Sequence, residues 1–218
     1  MKSEFIIGYD PGGNGAHGVA KLEVRDGAAV RLSTMTLGTA EDVLSFLENT
    51  ASLSAIGVDT LTCWSTGPSG WRPADLWLRE HYPDVKDSVV SPNSLYGSMG
   101  LNGMAVLIAV RKQFPAVHIT ETHPKVLYWH FAGTPYDYLG SREAMDELLA
   151  QRFNVAVSTE TEHEWDAAIS ALAALESYTG RWTHDLHSKK RDAEPDAEPD
   201  ANERIVQPCG ETRYSWPE

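Results

Sequence analysis

Short segments at the start of the chain are either continuously apolar or alternate between apolar and polar positions, and both patterns predict β-strands. Three such runs come first, and they are Glu4–Tyr9, Gly18–Val24 and Ala29–Leu37. The stretch Arg25-Asp26-Gly27 between the last two is typical of a hairpin turn. We therefore expect the chain to begin as an antiparallel meander of three strands.

Helical periodicity replaces the strand pattern further along the chain. Thr39 and Asp42 form a capping-box pattern before a helix that is expected to reach Asn49, and a strand over Ala55–Leu61 follows it. The order is then βββαβαβα with extra helices. The remaining segments are a helix over Pro73–Tyr82, a helix over Ser94–Phe114, a strand over Val117–Pro124, and helices over His123–Phe131, Ser141–Phe153 and Glu162–Tyr178.

Length and composition indicate one sizeable α/β domain. The chain has 218 residues, of which 42% are hydrophobic and 22% are charged. We expect this domain to span residues 1–184. An acidic flexible insert with a tandem DAEP repeat is expected over 185–204, and a C-terminal segment that docks on the core over 205–218. Because no apolar run approaches about 20 residues, we expect no membrane span and a cytoplasmic protein.

The charge and the cysteines narrow the classes of function. A net charge of −13 argues against tight non-specific binding of nucleic acid, which depends on Lys and Arg neutralising phosphates. Cys63 and Cys209 have no Cys/His neighbours at metal-binding spacing, so the sequence indicates neither a zinc site nor a disulfide framework.

Three acidic residues come at the ends of predicted strands. Asp10 ends "FIIGY", Asp59 ends "AIGV", and Glu121 ends "VHIT". Taken singly, each is explained as a turn or helix cap. Side by side they would repel one another unless a cation lay between them. Oxygen-only ligands suit Mg²⁺ or Mn²⁺, so we expect a metal site formed by Asp10, Asp59, Glu121 and the helix residue Asp166.

The last helix opens with the stretch "HEWDAAISALAAL". His163 and Asp166 lie three residues apart and therefore share one face near the positive end of the helix. The alternative is that the acidic residues Glu162, Glu164 and Asp166 only complement the positive end of the helix dipole. Together with the strand acids, the pattern favours a two-metal site that cleaves phosphodiesters.

Two stretches resemble a known superfamily. They are "IIGYDPGGNGAHGVAKLE" and "HEWDAAISALAAL", which are similar to the first strand and last catalytic helix of RuvC-type resolvases in the ribonuclease H-like superfamily. The resemblance implies an α/β fold with a five-stranded mixed sheet flanked by helices. It also implies that Asp10, Asp59, Asp166 and His163 are catalytic, with Asp10 bridging two ions.

A second resemblance covers most of the ordered chain. The stretches "GVDTL", "GWRPADLWLR", "SPNSL" and "ETHPKVL" look like a family of uncharacterised bacterial and archaeal proteins that are predicted ribonuclease H-like nucleases. The nuclease interpretation itself implies a nucleic acid substrate, with DNA or RNA undecided, and two Mg²⁺ or Mn²⁺ ions as cofactors. The oligomeric state stays open, with a homodimer as one alternative.

Several residues near these acids are candidates for substrate binding. The Gly12 and Gly13 turn leaves room for a phosphate beside Asp10. His123 and Lys125 follow Glu121, where substrate contact competes with helix-start packing. Arg72 and Arg79 are interleaved with tryptophans and could contact phosphates and bases, or the tryptophans could pack a long loop that the arginines cap. These tryptophans are Trp64, Trp71 and Trp77.

Two other functions remain open from the sequence. The stretch "DPGGNGAHG" also resembles the phosphate loop of sugar kinases, actin and Hsp70-type ATPases, although those proteins pair two such domains around a nucleotide. The second alternative is a non-catalytic module of ribonuclease H-like fold. The nuclease remains the favoured interpretation, since a single core is expected and all the candidate ligands are present.

Overall fold

A five-stranded mixed sheet forms the centre of the protein, described here from a computed structural model that covers residues 3–13, 15–67, 70–91, 97–189 and 205–218. The strands are β1 (Glu4–Asp10), β2 (His17–Arg25), β3 (Ala28–Leu37), β4 (Leu53–Val58), β5 (Trp64–Ser65), β6 (His118–Glu121), β7 (His184–Asp185), β8 (Ile205–Val206) and β9 (Ser215–Trp216). The central sheet has the order β3-β2-β1-β4-β6. β1, β2 and β3 are antiparallel, whereas β4 is parallel to both β1 and β6.

Six α-helices lie in the described part of the chain. They are α1 (Ala40–Glu48), α2 (Pro73–His81), α3 (Gly97–Gln113), α4 (Pro124–Ala132), α5 (Tyr138–Phe153) and α6 (Glu162–Tyr178). The predicted capping box of α1 is confirmed, because the Thr39 hydroxyl accepts from the Asp42 amide and the Asp42 carboxylate accepts from the Thr39 amide. The predicted start of α3 at Ser94 lies outside the described residues.

Apolar side chains cover both faces of the central sheet, which explains the nearly unbroken apolar run of β1. Ile7 and Tyr9 pack with Val43 of α1 and Val106 of α3 on one face. Ile6 packs on the other face with residues of α6, α4 and α5. A sheet covered on both sides places its functional groups at strand ends, where loops leave the core.

The hairpin between β2 and β3 uses left-handed backbone, as its sequence predicts. Asp26 has φ of 52° and Gly27 has φ of 76°. Two consecutive positive φ values match the right-handed twist of paired strands.

Helix α6 lies directly on the sheet because glycines face it. A Cβ atom on Gly8 would collide with the carbonyl oxygen of Ala167, and one on Gly18 would collide with that of His163. The helix backbone can therefore approach β1 and β2 at van der Waals distance. This approach brings the first turns of α6 to the carboxyl end of β1.

The C-terminal residues run beside the outer strand β6. The Arg213 amide donates to the Ile119 carbonyl, and the Glu121 amide donates to the Arg213 carbonyl. β9 pairs with β7, and β8 pairs with β5. Residues 190–204, which hold the DAEP repeat, lie outside the described residues.

The strand order, the pairing directions and the flanking helices give the predicted ribonuclease H-like fold. Among the described residues, no helix combines the length and the apolar character that a membrane crossing requires.

Candidate active site

Three aspartates reach one end of the sheet from three different elements. Asp10 is the last residue of β1, and its side chain is buried. Asp59 directly follows β4, and its amide donates to the Tyr9 carbonyl at 2.9 Å, so the two strand ends lie side by side. Asp166 lies just beyond the first turn of α6 and is also buried. The parallel pairing of β1 and β4 and the docking of α6 therefore create this arrangement.

Burial and like-charge repulsion dominate the electrostatics of the three aspartates, and the neighbouring His163 and Lys125 offset them only in part. Burial raises the pKa of Asp10, Asp59 and Asp166 above the usual value. The negative charges of Asp10 and Asp166 raise the pKa of Asp59 further, and that of Asp10 does so for Asp166. Asp59 retains some solvent contact, although protein atoms surround its carboxylate closely. Such a cluster gains stability from a cation placed among the carboxylates.

His163 bonds directly to Asp10. Its Nδ1 lies 2.6 Å from Asp10 Oδ2, and its side chain is 33% exposed. The hydrogen bond to Asp10 raises the pKa of His163, and burial opposes that rise only in part. The pair therefore joins a buried carboxylate to a solvent-accessible imidazole, an arrangement that can hold and release a proton.

Asp166 has an orienting partner that the sequence did not reveal. The Tyr136 hydroxyl donates to Asp166 Oδ1 at 2.8 Å. Tyr136 lies in the short connection between α4 and α5, where no periodic pattern or motif singles it out. Lys125 is exposed, and its ammonium lies 5.6 Å from the centre of the Tyr136 ring. The positive charge of Lys125 also lowers the pKa of both Asp59 and Asp166.

Glu121 is placed differently from the sequence expectation. Its two carboxylate oxygens accept from the Arg72 guanidinium at 2.6 and 2.8 Å, and the Thr62 amide donates to it at 2.9 Å. Burial alone would raise the pKa of Glu121, but Arg72, together with a hydrogen bond from His187, holds it well below the usual range. Glu121 is therefore engaged in a buried ion pair and is not grouped with the three aspartates.

Arg72 does not face solvent, which corrects its expected role in substrate binding. Its side chain is 3% exposed, and it bridges Asp75 and Glu121. The structure also places Arg79 in the capping role that the sequence left open, because its guanidinium donates to the Lys86 and Val89 carbonyls. Arg72 lines the groove that also holds Asp59 and Lys125, but its guanidinium is occupied by the two carboxylates.

His123 is also turned into the protein. Its Nε2 donates to the Ser88 carbonyl at 3.1 Å, and its Nδ1 is buried without a hydrogen-bond partner. Burial lowers the pKa of His123 to about 4, so the imidazole is neutral near pH 7. It lines a groove of about 330 Å³ together with Asp59, Lys125 and Met99. Of the basic candidates after Glu121, Lys125 is the one with an exposed charge.

The glycine turn after Asp10 borders a second groove. The side-chain amide of Asn102 in α3 donates a hydrogen bond to the Gly12 carbonyl oxygen at 2.9 Å, which connects the turn to α3. Gly13 lines a cleft of about 250 Å³ with His17 and Ser98. The backbone of the turn thus lies between the aspartates and an open cleft.

One further group of ligating side chains emerges in the described part of the chain. Cys63, Glu121 and His187 each offer one ligand atom, and these atoms lie within 4.8 Å of one another. No three ligand atoms of the described residues around Asp10 are grouped so tightly. No sequence motif indicates this cluster, because its three members are far apart along the chain and His187 lies in the predicted flexible insert.

Comparisons with known proteins give a likeness in structure only. No protein-family model matches the chain, and no curated protein matches it. RuvC of Thermus thermophilus in complex with a Holliday junction substrate has 16% sequence identity and a TM-score of 0.49, over 82% of this chain and 95% of that chain. Another Thermus thermophilus RuvC structure has 16% identity and a TM-score of 0.45, over 81% of this chain and 96% of that chain.

Proposed function

We propose that this protein is a nuclease that hydrolyses phosphodiester bonds of nucleic acid with the help of Mg²⁺ or Mn²⁺. The observation that carries the proposal is the cluster of Asp10, Asp59 and Asp166, whose charges repel one another at the end of the sheet. Clusters of strongly perturbed titratable groups mark functional sites more often than structural ones.

The donor set fits a hard divalent cation. All three residues offer carboxylate oxygens, which Mg²⁺ and Mn²⁺ prefer. Asp10, Asp59 and Asp166 would hold the metal. Glu121 is left out of this set because, among the described residues, its carboxylate is grouped with Cys63 and His187 and not with the aspartates. Bound there, divalent cations would activate water and stabilise the leaving oxygen of a phosphodiester.

The chain's own residues have separate tasks in this proposal. His163 fixes the orientation of Asp10 through its hydrogen bond, and its accessible imidazole can take up or give a proton during cleavage. Tyr136 fixes the orientation of Asp166. Lys125 supplies a positive charge beside the aspartates, where a phosphate of the substrate would lie.

The acidic total charge sets a condition on the substrate. With a net charge of −13, the protein has no general attraction for phosphate backbones. Binding is expected to depend on local contacts at Lys125 and the Gly12–Gly13 turn. We therefore propose a nuclease that acts on a particular nucleic acid structure, with DNA or RNA as the substrate class to be found.

A cleavage assay tests the proposal. Single-stranded, duplex, hybrid and branched nucleic acids are incubated with the protein in Mg²⁺ or Mn²⁺, beside Asp10→Asn and the exposed-acid control Asp84→Asn. We expect cleavage by the native protein and Asp84→Asn, and at least a 100-fold loss in Asp10→Asn. No cleavage of any substrate, or equal cleavage by Asp10→Asn, would contradict the proposal. Thermal stabilisation by ATP without any cleavage would favour the kinase-like alternative.

A further inference from the structure

Cys63, Glu121 and His187 form a compact cluster separate from the three aspartates. Cys63 follows β4, Glu121 ends β6, and His187 lies in the short 3₁₀ helix Leu186–Ser188. His187 Nε2 lies 3.4 Å from Cys63 Sγ and 3.5 Å from Glu121 Oε2. All three side chains are buried or nearly so, with 9% exposure for His187 and 3% for Glu121.

We propose that this cluster is a structural site for Zn²⁺, with Cys63 Sγ, His187 Nε2 and Glu121 Oε2 as protein ligands. Zn²⁺ binds sulfur at about 2.3 Å and nitrogen or carboxylate oxygen at about 2.0–2.2 Å, usually with tetrahedral geometry. Such bonds place the ligand atoms roughly 3.4–3.6 Å from one another. The observed separations of 3.4 and 3.5 Å match that spacing.

The hydrogen bonding of His187 leaves the correct nitrogen for a metal. Its Nδ1 lies 3.1 Å from the Thr212 carbonyl oxygen, which can only accept, so Nδ1 carries the hydrogen. In the neutral imidazole that binds metals, the lone pair is then on Nε2, which lies 3.4 Å from Cys63 Sγ and 3.5 Å from Glu121 Oε2. Metal-binding histidines commonly donate their other ring N–H to a carbonyl or carboxylate, which fixes both tautomer and orientation.

A positive charge lies beside the cluster and is already paired. Arg72 forms ion pairs with Asp75 and Glu121, and its Nη1 lies 3.5 Å from Cys63 Sγ. Zn²⁺ binds the deprotonated forms of cysteine and histidine, so its binding releases protons to solvent.

Glu121 Oε2 can accommodate the ion by giving up one hydrogen bond. It accepts from the Thr62 amide, the Thr62 hydroxyl and the Arg72 guanidinium. The Thr62 hydroxyl has an alternative partner in the Thr212 hydroxyl, 2.8 Å away. Coordination at Oε2 therefore replaces the hydroxyl bond without leaving Thr62 unsatisfied.

A small cavity supplies the fourth coordination position. It measures about 20 Å³ and is lined by Cys63 and His187 together with Arg72, Lys189 and Ile205. A space of this size holds about one water molecule. Three protein ligands and one water complete a tetrahedral site.

The ion would join three distant parts of the chain. Cys63 belongs to the loop after β4, Glu121 to the outer strand of the central sheet, and His187 to the segment whose neighbour Leu186 bonds to Tyr214. Zn²⁺ would thus fasten the C-terminal region to the sheet. This role is independent of the proposed nuclease site, because the two sites share no ligand.

Metal binding by the full chain tests this proposal. The protein is treated with a chelator, dialysed, incubated with Zn²⁺ and analysed for bound zinc after gel filtration. The variants are Cys63→Ser and His187→Gln, with Cys209→Ser as the matched control because Cys209 is also a buried free cysteine outside the cluster. The Asp166→Asn variant shows whether zinc binding depends on the three aspartates. We expect one zinc per chain in the native protein, Cys209→Ser and Asp166→Asn, and none in the two cluster variants.

A spectroscopic measurement on the native protein removes any dependence on variant folding. Co²⁺ in place of Zn²⁺ should give a thiolate-to-metal charge-transfer band, which is expected to persist in Cys209→Ser. Zinc at a hundredfold excess over its Kd should also raise the midpoint of thermal unfolding by roughly 5–10 °C. Absence of the cobalt band, or zinc bound equally well by a folded Cys63→Ser variant, would overturn the proposal.

Discussion

His163 and Asp10 are separated by 153 residues along the chain, yet the His163 Nδ1 lies 2.6 Å from Asp10 Oδ2. The contact forms because Gly18 has no side chain and lets the His163 backbone lie against β2. It joins the end of the first strand to the start of the last helix. The geometry of the proposed nuclease site thus depends on how closely α6 packs on the sheet.

The stability contribution of His163 should depend on pH. Its hydrogen bond to Asp10 raises its pKa in the folded protein above the value of about 6.5 in the unfolded chain. The contribution is therefore complete below about pH 6.5 and is lost as pH rises through the folded-state pKa. The free energy of unfolding in urea with a chelator should differ more between native protein and His163→Gln near pH 6 than near pH 9. A difference that grows with rising pH would contradict this assignment.

Asp59→Asn should stabilise the protein in the absence of metal. The pKa of Asp59 is raised by burial and by the charges of Asp10 and Asp166, so its ionised form disfavours folding at neutral pH. We expect the midpoint of thermal unfolding near pH 7.5 to rise by a few degrees, since about 1 kcal/mol corresponds to roughly 2–4 °C in a chain of this length. Asp84→Asn, which alters an exposed acid, should leave the midpoint unchanged. A lower midpoint in Asp59→Asn would identify Asp59 as a structural residue.

Tyr136→Phe should weaken metal binding more than it weakens the fold. The substitution removes the hydroxyl that holds Asp166 and keeps the ring that packs against Trp165. Loss of a residue that orients a metal ligand typically costs about 10–100-fold in affinity, whereas one hydrogen bond contributes only about 0.5–1.5 kcal/mol to stability. Isothermal titration with Mn²⁺ would measure this loss. Tyr128→Phe is the control, because Tyr128 also packs against Trp165 without contacting Asp166; an equal loss there would refute the orienting role.

Gly8→Ala should loosen the docking of α6. The added methyl group would collide with the Ala167 carbonyl, so either the helix or the strand must move. Overpacking of this kind costs about 1–3 kcal/mol, and the displaced helix should also reduce Mn²⁺ affinity. Gly97→Ala offers the control, since no atom of the described residues, apart from its chain neighbours and its own helix backbone, lies within 4 Å of a Cβ at that position. Unfolding midpoints of the two variants that agree within a degree would contradict the packing argument.

The sequence predicted the fold and the three aspartates because both follow from local patterns. Strands buried on both faces show as apolar runs, and each aspartate follows such a run or lies at a helix start. Glu121 also follows an apolar strand segment, so the sequence pattern does not distinguish it from Asp59. The two residues differ because Arg72, which precedes Glu121 by 49 residues in the sequence, forms a buried ion pair with Glu121. No local pattern could show that pairing.

Tyr136, Cys63 and His187 could not be identified from the sequence because tertiary contacts bring them to their positions. Tyr136 belongs to a short connection, and its hydroxyl meets Asp166 only because α4, α5 and α6 pack together. His187 stands in a stretch that the sequence assigned to a flexible insert, yet Leu186 beside it is completely buried. Cys63 and His187 meet through the folding of residues 184–188 against the loop after β4.

An anomalous difference map from crystals soaked in Mn²⁺ would show whether the three aspartates hold a metal ion. We expect manganese within bonding distance of carboxylate oxygens of Asp10, Asp59 and Asp166, and no manganese in crystals of Asp10→Asn. Manganese absent from these three aspartates at saturating concentration, or present there unchanged in Asp10→Asn, would contradict the proposed metal site.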